Sequence, residues 1–363
     1  MGSIFGNNIK ISIFGESHGT AIGVNIDGLP PGIKLNMDNI RHELLRRAPG
    51  KNKLSTTRRE EDEFEILSGY FNDRTTGTPL CVIIRNEDKK SKDYDTIKDL
   101  MRPSHADYTG YVKYKGFNDY RGGGHFSGRL TAPIVFAGAI AKEILRQDKI
   151  LIGSHIKSIA NIDDSSFDYV NISEETINNL NYSDFPVLNK SKGQMMKELI
   201  LETKEDKDSV GGIIETAAIN LKAGVGSPYF DTLDGHLAKL LFSIPGVKGV
   251  EFGSGFSITN MKGSQANDEM YMKDENVKSY TNNNGGILGG ISNGMPIIFK
   301  TAIKPTSSIG KKQRTVDIRK GFDSNISIQG RHDPCIVQRA VPVVDAVTAI
   351  GILDLLMEAK SYE

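Results

Sequence analysis

Three consecutive glycines, Gly122 to Gly124, sit inside Asp119–Arg129, DYRGGGHFSGR, and restrict the chain more than any other stretch. Lacking Cβ atoms, successive residues here can take positive φ and bring backbone N–H groups close to a ligand. The flanking Arg121, His125, Ser127 and Arg129 can hold an anion and move a proton. The loop runs into Thr131–Gln147, a predicted helix in which Thr131 caps, Pro133 fits the first turn and Ala137–Ala141 is small and apolar on nearly all sides. A buried helix is expected there, and its N-terminal dipole favours an anion beside the glycines.

Three other segments share that chemistry: Gly15–Gly19 (GESHG), Arg102–Gly110 (RPSHADYTG) and Arg331–Cys335 (RHDPC). Each sets a histidine, His18, His105 or His332, among glycines or arginines, and one site assembled from all four segments is the expectation. Arginine usage agrees. Of 45 basic residues 15 are Arg, and none falls between Arg146 and Arg314. A guanidinium grips phosphate or carboxylate with a planar fork that lysine lacks. Any single Arg is as well explained by a structural ion pair, but the set points to a small polyanion.

Composition excludes several classes. The 45 acidic residues cancel the basic ones, which argues against a protein that coats nucleic acid or anionic membrane. No run of eighteen apolar residues occurs, and the start MGSIFGNNIKISIFGESHG lacks a signal-peptide pattern, so no membrane partner and a cytoplasmic location are expected. Cys81 and Cys335, far apart and without CxxC spacing, predict neither zinc nor a disulfide framework. With no phosphate-loop signature, no GxGxxG in a βαβ unit and no HExxH, no metal is expected.

Alternating apolar positions predict strands at Ile9–Phe14, Ile22–Ile26, Glu63–Leu67, Leu80–Arg85, Ile213–Leu221, Val247–Phe252 and Ile297–Ile303. Helices are predicted at Asp38–Arg47 with Asp38 as N-cap, at Met195–Lys204, at Thr232–Phe242 and at Val341–Ala359. Arg46 and Arg47 suit a helix C-terminus. The pattern indicates an α+β chain with antiparallel sheets covered on one face, all 363 residues forming one domain. Residues 161–191, rich in Asn, Ser and Asp, read as a peripheral excursion without assigned function. The donor-dense loop Lys51–Asp62 either folds over a ligand or is solvated. The glycine-rich tract Tyr280–Pro296 either cradles a planar ring or is an array of turns, and Lys304–Ser308 (KPTSS) suits phosphate capture.

GESHG, RPSHADYT, DYRGGG with SGR, GGILGGISNG at Gly285–Gly294, KPTSS, and RHDPC followed by RAVP at Arg339–Pro342 together resemble the chorismate synthase family, in the family's order, from Phe14 to about Leu355. The resemblance implies a β-α-β sandwich with a helical layer between antiparallel sheets, and a homotetramer. It implies 1,4-elimination of phosphate from 5-enolpyruvylshikimate 3-phosphate to give chorismate, a carbon–oxygen lyase reaction. Reduced FMN is required without net redox change, lending an electron as phosphate leaves and recovering it. By the family's pattern His18 and His105 are the catalytic histidines, and Asp333 with Ser17 and Ser127 serves proton transfer through the flavin. His125, Phe126, Ser127, Pro245, Gly246, Gly289, Lys304, Pro305, Thr306, Ser307, Ser308 and Arg331 would contact FMN; Arg47, Lys53, Arg129 and Arg331 would bind substrate.

Departures from that pattern are Ala48 within Arg46–Gly50, Lys53 where some members have Arg, and His125 where some have Arg. No added flavin-reductase segment stands out, so an external reductant rather than NADPH oxidation by this chain is expected. A hydrolase using Ser17, His18 and Asp333, and an RNA-binding protein using the Arg clusters, remain as alternatives. The first predicts phosphate release without flavin, and a retention assay in high salt separates the second from a small-anion site.

Overall fold

The structure, a computed structural model, describes residues 2–50, 54–55, 60–87, 98–328 and 332–361. Two five-stranded antiparallel sheets enclose a layer of helices. The first sheet contains β1 (Ile4–Phe5), β2 (Lys10–Gly15), β3 (Ala21–Asp27), β4 (Phe64–Ser68) and β5 (Leu80–Arg85) in the order β1-β2-β3-β5-β4. The second contains β6 (Leu151–Ile159), β7 (Ile162–Asp163), β8 (Gly212–Ile219), β9 (Val247–Phe252) and β10 (Ile297–Ile303) in the order β9-β10-β8-β6-β7. The helices are α1 (Met37–Arg47), α2 (Asp107–Lys113), α3 (Thr131–Gln147), α4 (Glu174–Asn181), α5 (Lys190–Glu205), α6 (Leu233–Ser243) and α7 (Val337–Lys360).

Helices α3 and α7 form the centre of the sandwich, α3 against β2, β3 and β5 and α7 against β6 and β8. Their small residues explain the contact. A Cβ added at Gly138 would lie 2.2 Å from the Cβ of Ala346, so the two backbones approach at a point where only hydrogen fits. By length and composition α7 could cross a membrane, yet it lies almost wholly buried in the protein. One apolar core runs through this layer to both sheets, from Val24 and Val82 to Ile156 and Phe299.

The described fold is α+β, and it corrects several local expectations. Asn36, not Asp38, caps α1: its side-chain oxygen accepts from the N–H groups of Asp38 at 3.1 Å and Asn39 at 3.2 Å. Thr131 is the first residue of α3 rather than its cap, and its hydroxyl donates to the Gly128 carbonyl at 2.6 Å. The second sheet is covered on both faces, not one. Part of the 161–191 excursion packs on its outer side, where Phe167, Ile177 and Leu180 bury against Leu151, Ala217 and Ile298.

That outer face also hides a charged cluster. His155, fully buried on β6, has Nδ1 3.1 Å from Asp164 and Nε2 2.9 Å from Glu215, while Tyr169 donates to Glu215 at 2.8 Å. Burial alone would push the His155 pKa down; the bonds to the two carboxylates outweigh it and hold it above the ordinary value. The excursion is thus fastened to the sheet by an imidazolium between two carboxylates.

Candidate active site

The site lies at the end of the helical layer, where α1 finishes, α3 and α7 begin, and β10 runs out into Lys304–Ser308. A cavity of about 990 Å³ opens there. His18, His105, His125 and His332, one from each glycine- or arginine-flanked segment, all line it. Thr131, at the start of α3, and Ile336, the N-cap residue of α7, line it too, so two helix N-termini border one volume.

The triple glycine is required by its backbone conformation, and at Gly122 also by what packs on it. Gly122, Gly123 and Gly124 have φ of 60°, 86° and 53°. A Cβ at Gly122 would stand 2.3 Å from the His18 ring and 2.6 Å from the Ser17 hydroxyl, and one at Gly123 would stand 3.4 Å from Cε1 and Nε2 of His105. Two imidazoles therefore rest on adjacent bare backbone units. A third, His125, is held by both nitrogens: Nδ1 donates to the Gly15 carbonyl at 2.9 Å, which leaves Nε2 to accept from the Ser3 hydroxyl at 3.1 Å. His332 is pushed below the usual histidine value by burial and the nearby Arg102 charge, against the opposing pull of Asp333.

Arg47 and Arg129 are buried and share one carboxylate. Asp62, wholly buried, accepts from Nη2 and Nε of Arg47 at 2.7 and 3.1 Å and also pairs with Arg129. Glu60 lies 2.7 Å from Arg129. Burial by itself would raise the Asp62 pKa, but the two guanidinium groups override it and lower it. Arg102 and His105 are joined in the same way through Asp107, with Arg102 Nη1 donating to Ser308 Oγ at 3.3 Å. Arg339 pairs with Asp333 and donates from Nε to the Arg47 carbonyl at 3.0 Å. Lys304 bonds the Ser104 carbonyl, and burial with the neighbouring Lys248 charge lowers its pKa. That crowding of cations is relieved when an anion enters.

Of the residues expected at the site, His18, His105, Asp333, Ser127, His125, Phe126, Pro245, Gly246, Lys304, Pro305, Thr306, Ser307, Ser308, Arg47 and Arg129 line the cavity. Ser17 and Gly289 are placed elsewhere. The Ser17 hydroxyl faces the back of the glycine loop, donating to Gly122 O at 3.0 Å, and Gly289 turns the small hairpin of Ile287–Leu288 and Ile291–Ser292. Arg121 also leaves the anion site, because Asp119 binds its Nε and Nη2 at 2.9 and 2.8 Å. Lys53 and Arg331 lie outside the described residues, as do 56–59 of the donor-dense loop.

Asp62, Asp107 and Lys248 are the positions that sequence reasoning passed over. Asp62 ends the loop Lys51–Asp62, which drew notice for its donors rather than for its carboxylates; Arg102, His105 and Asp107 lie within six residues, and that close spacing is the signal that could have found Asp107. Among the described residues no group of three or more His, Cys, Asp or Glu side chains forms a metal site. Cys335, two residues from Asp333, is fully buried, and burial pushes its thiol up to about 12.

The family model described as chorismate synthase matches residues 9–357. Chorismate synthases similar to this chain include one from Methanocaldococcus jannaschii, 46% identical over 98% of this chain and 96% of the relative. Another, from Pyrococcus abyssi, is 46% identical over 99% and 98%. A third, from Dehalococcoides mccartyi strain BAV1, is 44% identical over 99% and 98%. A solved chorismate synthase crystal structure superposes with a TM-score of 0.77 at 30% identity, covering 98% of this chain and 93% of that one. A match of this length and identity, to the family model and to relatives over nearly the whole chain, places the chain in the chorismate synthase family.

Proposed function

We propose that the cavity converts 5-enolpyruvylshikimate 3-phosphate to chorismate by 1,4-elimination of phosphate, with reduced FMN bound beside the substrate. The observation that carries this reading is the convergence of four histidines and the guanidinium groups of Arg47, Arg102, Arg129 and Arg339 on one volume. The substrate bears a phosphate and two carboxylates. Arg47 and Arg129, already oriented by Asp62, can bind such a trianion and stabilise charge that grows on the departing phosphate.

The residues suit the cofactor as well. A 990 Å³ volume exceeds what one small cyclohexene fills, and its lining pairs Pro245, Gly246 and Phe126 with the cations and hydroxyls of Lys248 and Lys304–Ser308. These last groups would hold the flavin phosphate. When bound, reduced FMN supplies an electron that is returned before product leaves. His105, facing the cavity through Nε2, can pass a proton to phosphate oxygen, and His18, packed against Gly122, can hold or move one nearer the glycine loop. Asp333, paired with Arg339, would hold or move a proton at the cavity.

An anaerobic assay with dithionite-reduced FMN and the phosphorylated substrate, followed by chorismate absorbance, tests the reading. Chorismate should form only with reduced flavin; phosphate release without it would transfer the site to the hydrolases. We expect a separate reductant to supply the flavin electrons, so rapid aerobic turnover on NADPH alone would contradict that part. A cytoplasmic homotetramer, with neither nucleic acid nor membrane as a partner, completes the proposal and is open to light scattering and fractionation.

A further inference from the structure

We propose that Asp107 is a positioning residue for this reaction: it holds Nδ1–H of His105 and thereby presents Nε2 to the cavity as the atom that carries the proton. The inference rests on the reading above and adds the group that acts on its histidine. Asp107 Oδ1 lies 2.6 Å from His105 Nδ1. Arg102 Nη2 is 3.0 Å from the same nitrogen, but a guanidinium can only donate, and a nitrogen that already carries hydrogen cannot accept. An Nδ1 without hydrogen would instead turn a lone pair toward a carboxylate oxygen at 2.6 Å. The carboxylate therefore decides the tautomer.

Every acceptor position of Asp107 is used. Arg102 binds it with Nη2 on Oδ1 at 2.7 Å, and with Nε at 2.7 Å and backbone N–H at 3.1 Å on Oδ2. Burial would raise the Asp107 pKa, but the bonds from Arg102 and His105 hold it well below the usual carboxylate range, so it stays ionised and does not take the proton itself. On the other side of the ring Nε2 and Cε1 lie beside Gly123, and His105 lines the cavity. The ring is thus clamped at Nδ1 and open at Nε2. In the elimination, the Nε2–H bond breaks and an O–H bond forms on the departing phosphate, while Nδ1–H remains with Asp107.

Nitrogen-15 NMR of histidine-labelled full-length protein tests the tautomer without turnover, and so separates this inference from the assignment of the reaction. The neutral ring of His105 should carry its hydrogen on Nδ1, with Nε2 gaining one only in the imidazolium; a neutral ring with hydrogen on Nε2 and none on Nδ1 in the unsubstituted protein would overturn the proposal. In Asp107→Asn the amide can face Nδ1 with its NH₂ group and reverse the tautomer. The expected result is a kcat lower by about 10²–10⁴-fold with the substrate KM changed by less than about threefold. A kcat within about threefold of the original, or a rise in KM that accounts for the whole loss, would overturn it, because Asp107 would then serve Arg102 alone. If the variant does not fold, the tautomer in the unsubstituted protein decides.

Discussion

Asp62 sets one carboxylate between two guanidinium groups, and both of those line the cavity. Removing its charge leaves Arg47 and Arg129 buried without their shared counter-ion. Asp62→Asn is expected to lose about 3–5 kcal/mol of stability at neutral pH, the scale of breaking a buried pair from one side. The pH dependence has a definite sign. Since the folded-state pKa of Asp62 is lowered, its contribution is complete above the ordinary carboxylate value of about 3.9 and is lost as pH falls through the lower folded-state value. Urea midpoints of the two proteins should therefore converge below about pH 4; a constant gap from pH 7 to pH 3 would refute the pairing. At this scale the sequence was half legible. Histidines beside glycines and arginines are unusual enough to stand out, and all four meet. The carboxylate that aims Arg47 and Arg129 does not stand out, since Asp62 is 67 positions from Arg129 and only the fold joins them.

Among the elements, β3, β5, β9 and β10 were readable because apolar positions alternate or run together within clear turn signals. β6 was not. LIGSHIKSI buries nearly every residue, with α7 on one face and α4 on the other, so neither alternation nor a purely apolar run marks it. Its buried His155 and Ser154 look like loop residues until their partners, Glu215 and Asp345, are in place. α3 was legible for the opposite reason: its small residues are the requirement of the crossing itself. Gly138→Ala would drive a methyl group into Ala346 across α7, and a loss of about 1–3 kcal/mol is expected from the overpacking. Because alanine is otherwise the better helix former, an unchanged or raised thermal midpoint would show that the helices can separate at little cost.

For the molecule as a whole, periodicity indicated antiparallel sheets with helices, whereas the two-sheet sandwich came from the family resemblance. Long-range pairing explains the gap: β10 joins β8 and β9 into one sheet, although 78 positions separate Ile297 from Ile219, and no local pattern announces a partner so distant. The same architecture gathers helix ends at one place, so cationic side chains and helix N-termini act on a ligand together.

Cys335 sits in the connection between Asp333 and α7, sealed from solvent, with its thiol pushed up to about 12. It can therefore act as a built-in clock. Alkylating reagents reach it only when that connection peels away, so its labelling rate counts openings of the segment that carries Asp333 to the cavity, while the half-buried Cys81 on β5 serves as an internal control. Flavin alone, at a hundredfold excess over its Kd, should slow the Cys335 rate about 100-fold and leave Cys81 unaffected. Equal slowing at both thiols would mean that the ligand tightens the entire sandwich instead of closing one door.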